Sequence, residues 1–179
     1  PYLVEYPYGC VEQTMSRFLP ALRVAHITRQ SGLSSMKDLE AKLPKVVAAG
    51  QKRLIELQQP DGGWGWNGNG QTHEMMTPYA LMGLIAADDA GYPCPNLVSI
   101  HRGLAKLKQY LDAMRLQWAN KIPLPATGKG VPPGLINESL YSLAVYSAKA
   151  DPKELTDWWV LIRQSVGHPL MSDYGHALA

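Results

Sequence analysis

Apolar residues recur along this chain of 179 residues at the three- and four-residue spacing of α-helices, in separate stretches. The pattern runs from Val11 to about residue 29, from Met36 or Pro44 to Gln58, from Thr77 to about residue 90, and from Asn96 to Trp118. A shorter stretch covers 153–166, and further helices begin near Ser139 and Ser172. Segments rich in glycine, proline and polar residues separate them, the longest being 119–134. The pattern predicts a nearly all-α protein.

Prolines, caps and glycines set the expected helix ends. Pro20 lies inside the first apolar stripe and is expected to kink that helix or change its direction. Pro44 would fit the first turn of the second helix. Thr77 is expected to be the N-cap of the third helix, with Pro78 at its first position and Gly91 just after its end.

Each predicted helix has one apolar face. The first would bury Met15, Phe18, Leu19, Leu22 and Ile27. The second would bury Val46, Val47, Leu54, Ile55 and Leu57. The fourth would turn inward Leu104, Leu107, Leu111 and Met114.

A similar helix start occurs three times. Ser or Thr precedes Tyr and small apolar residues at 77–81, 139–143 and 172–176, and more polar helices lie between these points. Repeated helix pairs of this kind stack side by side, one ring of helices behind another. The repeat predicts an α/α-toroid built from helical hairpins. Since the chain opens and stops abruptly, we expect an incomplete toroid, with 1–179 forming part of one helical domain excised from a larger protein.

Composition and charge exclude several function classes. The chain is 46% hydrophobic, as a globular fold requires, and its formal net charge of +2 gives no nucleic-acid footprint. Its apolar runs are too short to cross a bilayer, so no membrane insertion is expected of this segment. Cysteine pairs at zinc spacing and clustered histidines are both missing from the sequence, so neither a metal nor a cofactor is predicted.

Two cysteines occur, Cys10 and Cys94. In an exported protein such a pair can form a disulfide. The surroundings of Cys10 argue against that bridge. Glu12 and Gln13 follow it, and a disulfide would consume the sulfur that could otherwise react with the Gln13 amide. Cys94, between two prolines, is interpreted as an incidental free thiol.

The most informative segment has the sequence YPYGCVEQT and covers residues 6–14. Cys10 and Gln13 stand three apart where a turn leads into the first helix, and residues at this spacing share one helix face. The Cys10 sulfur could therefore displace ammonia from the Gln13 amide. The product would be an internal thioester, which is an acyl group stored in activated form.

This segment resembles the thioester signature of the α2-macroglobulin and complement family, in its bacterial form. The family pattern Gly-Cys-x-Glu-Gln is present in full as Gly9, Cys10, Glu12 and Gln13. The resemblance implies an endopeptidase inhibitor of host defence, exported to the periplasm or cell surface. Cleavage of a bait segment elsewhere in a parent macroglobulin chain would expose the thioester, and an amine of the protease or another protein would attack it. This is single-turnover covalent capture and not enzymatic catalysis.

Other residues are given supporting roles. A helix N-terminus offers Cys10 and the reacting carbonyl free backbone donors. Glu12 would cap that turn or assist the departure of ammonia. Tyr6 and Tyr8 are predicted to shield the thioester from water. His73 is a candidate acyl acceptor of the kind some complement members use, although a surface histidine near a helix start is the preferred interpretation.

A second segment, QQPDGGWGWNGNG at 58–70, resembles the turn that links helices in α/α-toroids. Its glycines permit a tight path, and its tryptophans are expected to plug an apolar surface.

Two other functions stay open. The chain could be a toroidal interaction module without an active thioester, or an enzyme of the α/α-toroid class. Asp88 and Asp89 alone do not form the acidic motif of triterpene cyclases. A cysteine hydrolase using Cys10 would need a partnered histidine supplied by the fold.

Overall fold

The protein is helical, as predicted. The computed structural model describes residues 9–31, 37–119, 145–146, 149 and 152–156, with side chains over 9–24, 41–113 and parts of 145–156. Its elements are α1 (Val11–Ser31), α2 (Lys37–Leu57), α3 (Met76–Asp89), α4 (Leu97–Ala119) and a short 3-10 helix (Pro152–Leu155). Over these ranges the β-structure is limited to one antiparallel backbone pairing, between Gln58 and Trp64.

The chain divides into two compact units, Pro1–Leu104 and Ala105–Ala179. In the second unit Leu107, Leu111, Val145 and Leu155 are buried, and Lys108 pairs with Asp112 along α4 at 3.6 Å. The repeats at 139–143 and 172–176 lie outside the described residues, and so do residues 120–134 of the predicted loop, whereas Ala119 ends α4. Most of the predicted helix 153–166 also lies outside the described residues. That 1–179 belongs to one domain stays a prediction.

The first unit has a core made by three helices, with α1 packed against α2 and α3 and α2 against α3. Among the described side chains of α1, the buried apolar ones are Val11, Met15, Phe18 and Leu22, whereas Leu19, predicted to be buried, is half-buried. The buried side chains of α2 include Leu43, Val47, Leu54 and Leu57. The α2 face follows a four- and three-residue spacing from Leu43, which leaves Val46 and Ile55 at its edges. Both were predicted to be buried and are only half-buried.

Phe18 is held between the backbones of two neighbouring helices. A methyl group added at Gly50 of α2 would lie 2.9 Å from the Phe18 ring, and one added at Gly83 of α3 would also lie 2.9 Å from it. These distances are too short for any side chain. The two glycines therefore let α1 approach α2 and α3 closely around one aromatic ring.

Both internal prolines leave their helices continuous. α1 runs through Pro20 as one element. Pro44 was predicted to lie in the first turn of α2, and this is wrong, because the helix begins at Lys37 and Pro44 lies well inside it. A proline inside a helix costs about 3 kcal/mol. Full burial of an aliphatic side chain contributes about 1.5–3 kcal/mol. Leu43 and Val47 flank the exposed Pro44 and are both buried, so extending α2 through Pro44 is favourable.

Helix α3 begins before the predicted cap. Its N-cap is Met75, whose side chain makes no capping hydrogen bond, and Thr77 lies inside the first turn. The expectation for Thr77 is wrong because its hydroxyl has other partners. It accepts a hydrogen bond from the Trp64 backbone N–H at 3.0 Å and lies 3.2 Å from the His73 carbonyl. The Thr77 N–H also donates to that carbonyl, at 3.1 Å.

The predicted end of α3 at Gly91 is confirmed. Gly91 adopts φ of +84°, and its N–H donates to the Asp88 carbonyl. The next N–H, of Tyr92, donates to the Ala87 carbonyl at 2.9 Å. This pair of bonds is the Schellman arrangement, which favours glycine at the left-handed position.

The segment 58–73 is held by one buried tryptophan and by side-chain amides. Trp64 is 0% exposed, and its indole N–H donates to the Leu54 carbonyl at 2.7 Å. A methyl group at Gly103 of α4 would lie 2.6 Å from the Trp64 ring. The Gln59 amide donates to the Asn67 and Gly68 carbonyls. The predicted plug is thus confirmed for Trp64, whereas Trp66 is 50% exposed.

We expect Trp64→Ala to lower the free energy of unfolding by about 3–5 kcal/mol, since it removes a buried aromatic and leaves the Leu54 carbonyl unpaired. Trp66→Ala is the matched control from the same segment and should cost no more than about 1 kcal/mol. Urea denaturation followed by circular dichroism measures both. Equal losses in the two variants would contradict the role given to Trp64.

Candidate functional site

The structure places Cys10 and Gln13 in contact at the N-terminus of α1. The Cys10 backbone N–H donates to Gln13 Oε1 at 3.4 Å, and the Gln13 backbone N–H donates to Cys10 Sγ at 3.4 Å. Each residue thus presents a backbone donor to the reacting atom of the other. One donor is directed at the carbonyl oxygen that would gain charge during attack, and the other at the sulfur that would attack.

Hydrogen bonds to the Val11 N–H and to the Cys10 carbonyl fix the first turn of α1. The Val11 N–H donates to the Trp66 carbonyl at 3.0 Å. The Cys10 carbonyl accepts two bonds from Thr14, one from its N–H at 3.0 Å and one from its hydroxyl at 2.9 Å. A methyl group at Gly9 would lie 3.3 Å from Gln13 Cβ, so glycine leaves room for the Gln13 side chain.

Glu12 is exposed and lies within electrostatic range of Tyr79 on α3. Burial raises the pKa of the Tyr79 hydroxyl above its usual range, and the nearby negative charge of Glu12 raises it further. Glu12 therefore lies close to Tyr79. Neither of the two roles predicted for Glu12, capping or proton transfer, is tested by this placement.

His73 lies beside the segment that caps α1 and is half-buried. Its Nδ1 accepts a hydrogen bond from the Met75 N–H at 3.2 Å, which places the proton of a neutral imidazole on Nε2. Its ring meets the Trp66 ring edge-on, with centroids 5.8 Å apart. The acyl-acceptor role of His73 stays a prediction.

Two features of the site were not found from the sequence. The Arg53 side chain on α2 donates from Nε to the Gly9 carbonyl at 3.1 Å. The Trp66 carbonyl caps Val11. Both contacts end on a backbone carbonyl that every residue possesses, so the sequence contains no signal for them.

The remaining residues singled out earlier are Tyr6, Tyr8 and Cys94. Tyr6 and Tyr8 lie outside the described residues. Cys94 is a free, buried thiol that donates to the Asn96 carbonyl, and burial raises its pKa. Over the described ranges, no group of three or more His, Cys, Asp or Glu side chains could hold a metal ion. The helices there include none that is both long and apolar enough to span a bilayer.

Comparison with known proteins identifies the family. The sequence profile of the A-macroglobulin TED domain matches residues 1–103. The chain belongs to this family. The α2-macroglobulin of Thermotoga maritima is 37% identical over 111 residues, covering 62% of this chain and 7% of that protein. The α2-macroglobulin of Escherichia coli K12 is 34% identical over the same length, with the same coverage. The chain thus spans only 7% of these relatives.

Solved structures of α2-macroglobulins have the same fold. Trypsin-activated α2-macroglobulin from E. coli matches with a TM-score of 0.63 and 26% identity, covering 97% of this chain and 12% of that one. Salmonella α2-macroglobulin reacted with methylamine matches with a TM-score of 0.61 and 27% identity, covering 98% and 12%. The corresponding domain in these proteins is an α/α-toroid, so the predicted fold class is confirmed.

The raised pKa of Tyr79 predicts a loss of stability in alkali. A tyrosine in the unfolded chain loses its proton near pH 10. The folded chain retains the Tyr79 proton above that pH, so protonated Tyr79 stabilises the folded state. This contribution to the free energy of unfolding is intact below about pH 10 and is lost as the pH rises. Tyr79→Phe should make the unfolding free energy fall less steeply between about pH 9 and 11. Denaturant titrations across this range measure it. Identical slopes in the two proteins would contradict the assignment.

Proposed function

We propose that this chain is a thioester domain of a bacterial α2-macroglobulin-like inhibitor, in which Cys10 and Gln13 form an internal thioester. The observation that best supports the proposal is their reciprocal contact at 3.4 Å, with one backbone N–H on the Gln13 carbonyl oxygen and another on the Cys10 sulfur. The family match over 1–103 supports it independently.

Formation of the bond needs no co-reactant. The Cys10 sulfur attacks Gln13 Cδ, and the negative charge that develops on Oε1 is stabilised by the Cys10 N–H. The C–N bond of the amide then breaks. The nitrogen leaves as ammonia, taking the proton of the thiol. The product is an S-acyl bond between Cys10 and Gln13.

Capture of a target breaks the thioester and releases the Cys10 sulfur. An amine on a protease or another protein, typically a lysine, attacks Gln13 Cδ and forms an amide, and Cys10 leaves as a free thiol. The acyl group is consumed, so one domain reacts once and no turnover follows. The related α2-macroglobulins of known structure, one activated by trypsin and one reacted with methylamine, support this chemistry for this chain.

The setting follows from the same relationship. A bait segment and a trigger would lie in the remainder of a parent macroglobulin chain, of which 1–179 would be one part. The parent would be exported to the periplasm or cell surface and serve in host defence. These statements rest on the bacterial α2-macroglobulins that this chain resembles.

The intact mass tests the thioester. We expect the full-length protein to be about 17 Da lighter than its sequence, the mass of one ammonia. Methylamine should add to the protein and release one thiol. Cys10→Ser and Gln13→Glu should each abolish the mass deficit. Cys94→Ala should retain it, because Cys94 is a buried thiol distant in sequence from the motif.

If the full-length protein has the mass calculated from its sequence and incorporates no methylamine, the proposal is contradicted. That result would favour the helical interaction module. Repeated turnover of a substrate by the same protein would favour an enzyme of the α/α-toroid class.

Shielding by Tyr6 and Tyr8 has its own test. If these rings exclude water from the acyl carbon, Tyr8→Ala shortens the lifetime of the form that lacks ammonia. Mass spectrometry over time, compared with the unsubstituted protein, follows the hydrolysis. An unchanged lifetime in Tyr8→Ala would remove the shielding role.

A further inference from the structure

Arg53 contacts the Gly9–Cys10 peptide group, whose N–H donates to the Gln13 side-chain carbonyl. Its Nε–H donates to the Gly9 carbonyl oxygen at 3.1 Å. The same peptide group ends in the Cys10 N–H, which donates to Gln13 Oε1 at 3.4 Å. One guanidinium and one amide oxygen are thus joined through a single peptide unit.

A peptide unit transmits polarisation between its ends. Its C–N bond has partial double-bond character, so a cation on the carbonyl oxygen withdraws electron density from the nitrogen. The N–H then becomes a better donor, which is the cooperative strengthening seen in hydrogen-bonded chains. The Arg53 bond is also charge-assisted, and such bonds are roughly twice as strong as neutral ones.

The guanidinium is held in place from its other side. Arg53 Nη1 pairs with Glu56 Oε2 at 3.4 Å along α2, and the Arg53 side chain is 31% exposed. Lys52, its neighbour, pairs with the other oxygen of Glu56 at 4.0 Å and is 79% exposed. Lys52 therefore shares the charge and the ion-pair partner of Arg53 but makes no contact with Gly9.

We propose that Arg53 is a positioning residue for the thioester, one that polarises the Gly9–Cys10 peptide so that the Cys10 N–H stabilises the oxyanion on Gln13. This inference rests on the proposed thioester chemistry. Both formation of the bond and attack by an amine pass through a tetrahedral intermediate with negative charge on the Gln13 oxygen. Arg53 thus sets how fast the stored acyl group forms and how fast it reacts.

The experiment measures the second-order rate constant for methylamine in the full-length protein. Loss of one direct oxyanion donor costs about 100- to 1,000-fold in rate. Arg53 acts through another group and changes the strength of that bond by about 10–30%, so we expect a smaller loss in Arg53→Ala, of about 2- to 8-fold. Arg53→Lys, which retains the charge but not the Nε–H, should also be slower than the unsubstituted protein. Lys52→Ala should react at the unsubstituted rate.

Two further readouts separate this role from a general loss of structure. With ¹³C at Gln13 Cδ, the thioester carbonyl stretch should shift to higher frequency in Arg53→Ala, because its hydrogen bond weakens. Methylguanidinium, added far below denaturing concentration, should restore part of the rate to Arg53→Ala and leave the rate of Lys52→Ala unchanged. Neither effect is expected of a residue that only supports the fold.

The outcomes are separable. Unchanged rate and carbonyl frequency in Arg53→Ala, with a normal reaction in the unsubstituted protein, would overturn the role of Arg53 and leave the thioester intact. Absence of reaction in the unsubstituted protein would overturn both. A variant that folds but never loses ammonia supports the role, since formation uses the same oxyanion. If both Arg53 variants unfold and Lys52→Ala does not, Arg53 is structural and the proposal is wrong.

Discussion

The candidate site at the start of α1 depends on one backbone hydrogen bond, from the Val11 N–H to the Trp66 carbonyl. The bond is placed by Trp64, whose buried ring occupies the space at Leu54 and Gly103 and whose backbone pairs with Thr77 and His73. A segment with many glycines loses considerable conformational entropy on folding, and burial of Trp64 offsets part of that loss. A single buried aromatic side chain therefore fixes a loop that in turn fixes the first turn of a helix.

That first turn combines two properties. Its backbone donors are free to face a sulfur and an amide oxygen, yet its position is fixed by neighbouring elements. Gly9 admits the Gln13 side chain, Thr14 occupies the Cys10 carbonyl, and Arg53 binds the preceding carbonyl. A site prepared for charge in this way needs little rearrangement when charge develops, which is how oxyanion stabilisation works in general.

The family relationship explains which features persist at low identity. The chain shares only about a quarter of its residues with the solved α2-macroglobulins, and it nevertheless superposes over nearly its whole length. Helical hairpins tolerate many substitutions because any apolar side chain of suitable volume fills a core position. Under the proposed function, Cys10 and Gln13 have no such freedom, since a sulfur and an amide must stand one helical turn apart.

The sequence by itself determined the existence of α1 to α4, the end of α3 at Gly91 and the proximity of Cys10 and Gln13, because each depends on residues within a few positions of one another. The tertiary structure decided the rest. Helix α2 passes through Pro44 because burial of Leu43 and Val47 outweighs the local cost, and Thr77 is not a cap because its hydroxyl binds Trp64. Arg53 and the Trp66 carbonyl reach the site only in the folded chain. Their partners are backbone groups, which are the same in every residue, so no pattern of side chains could have identified them.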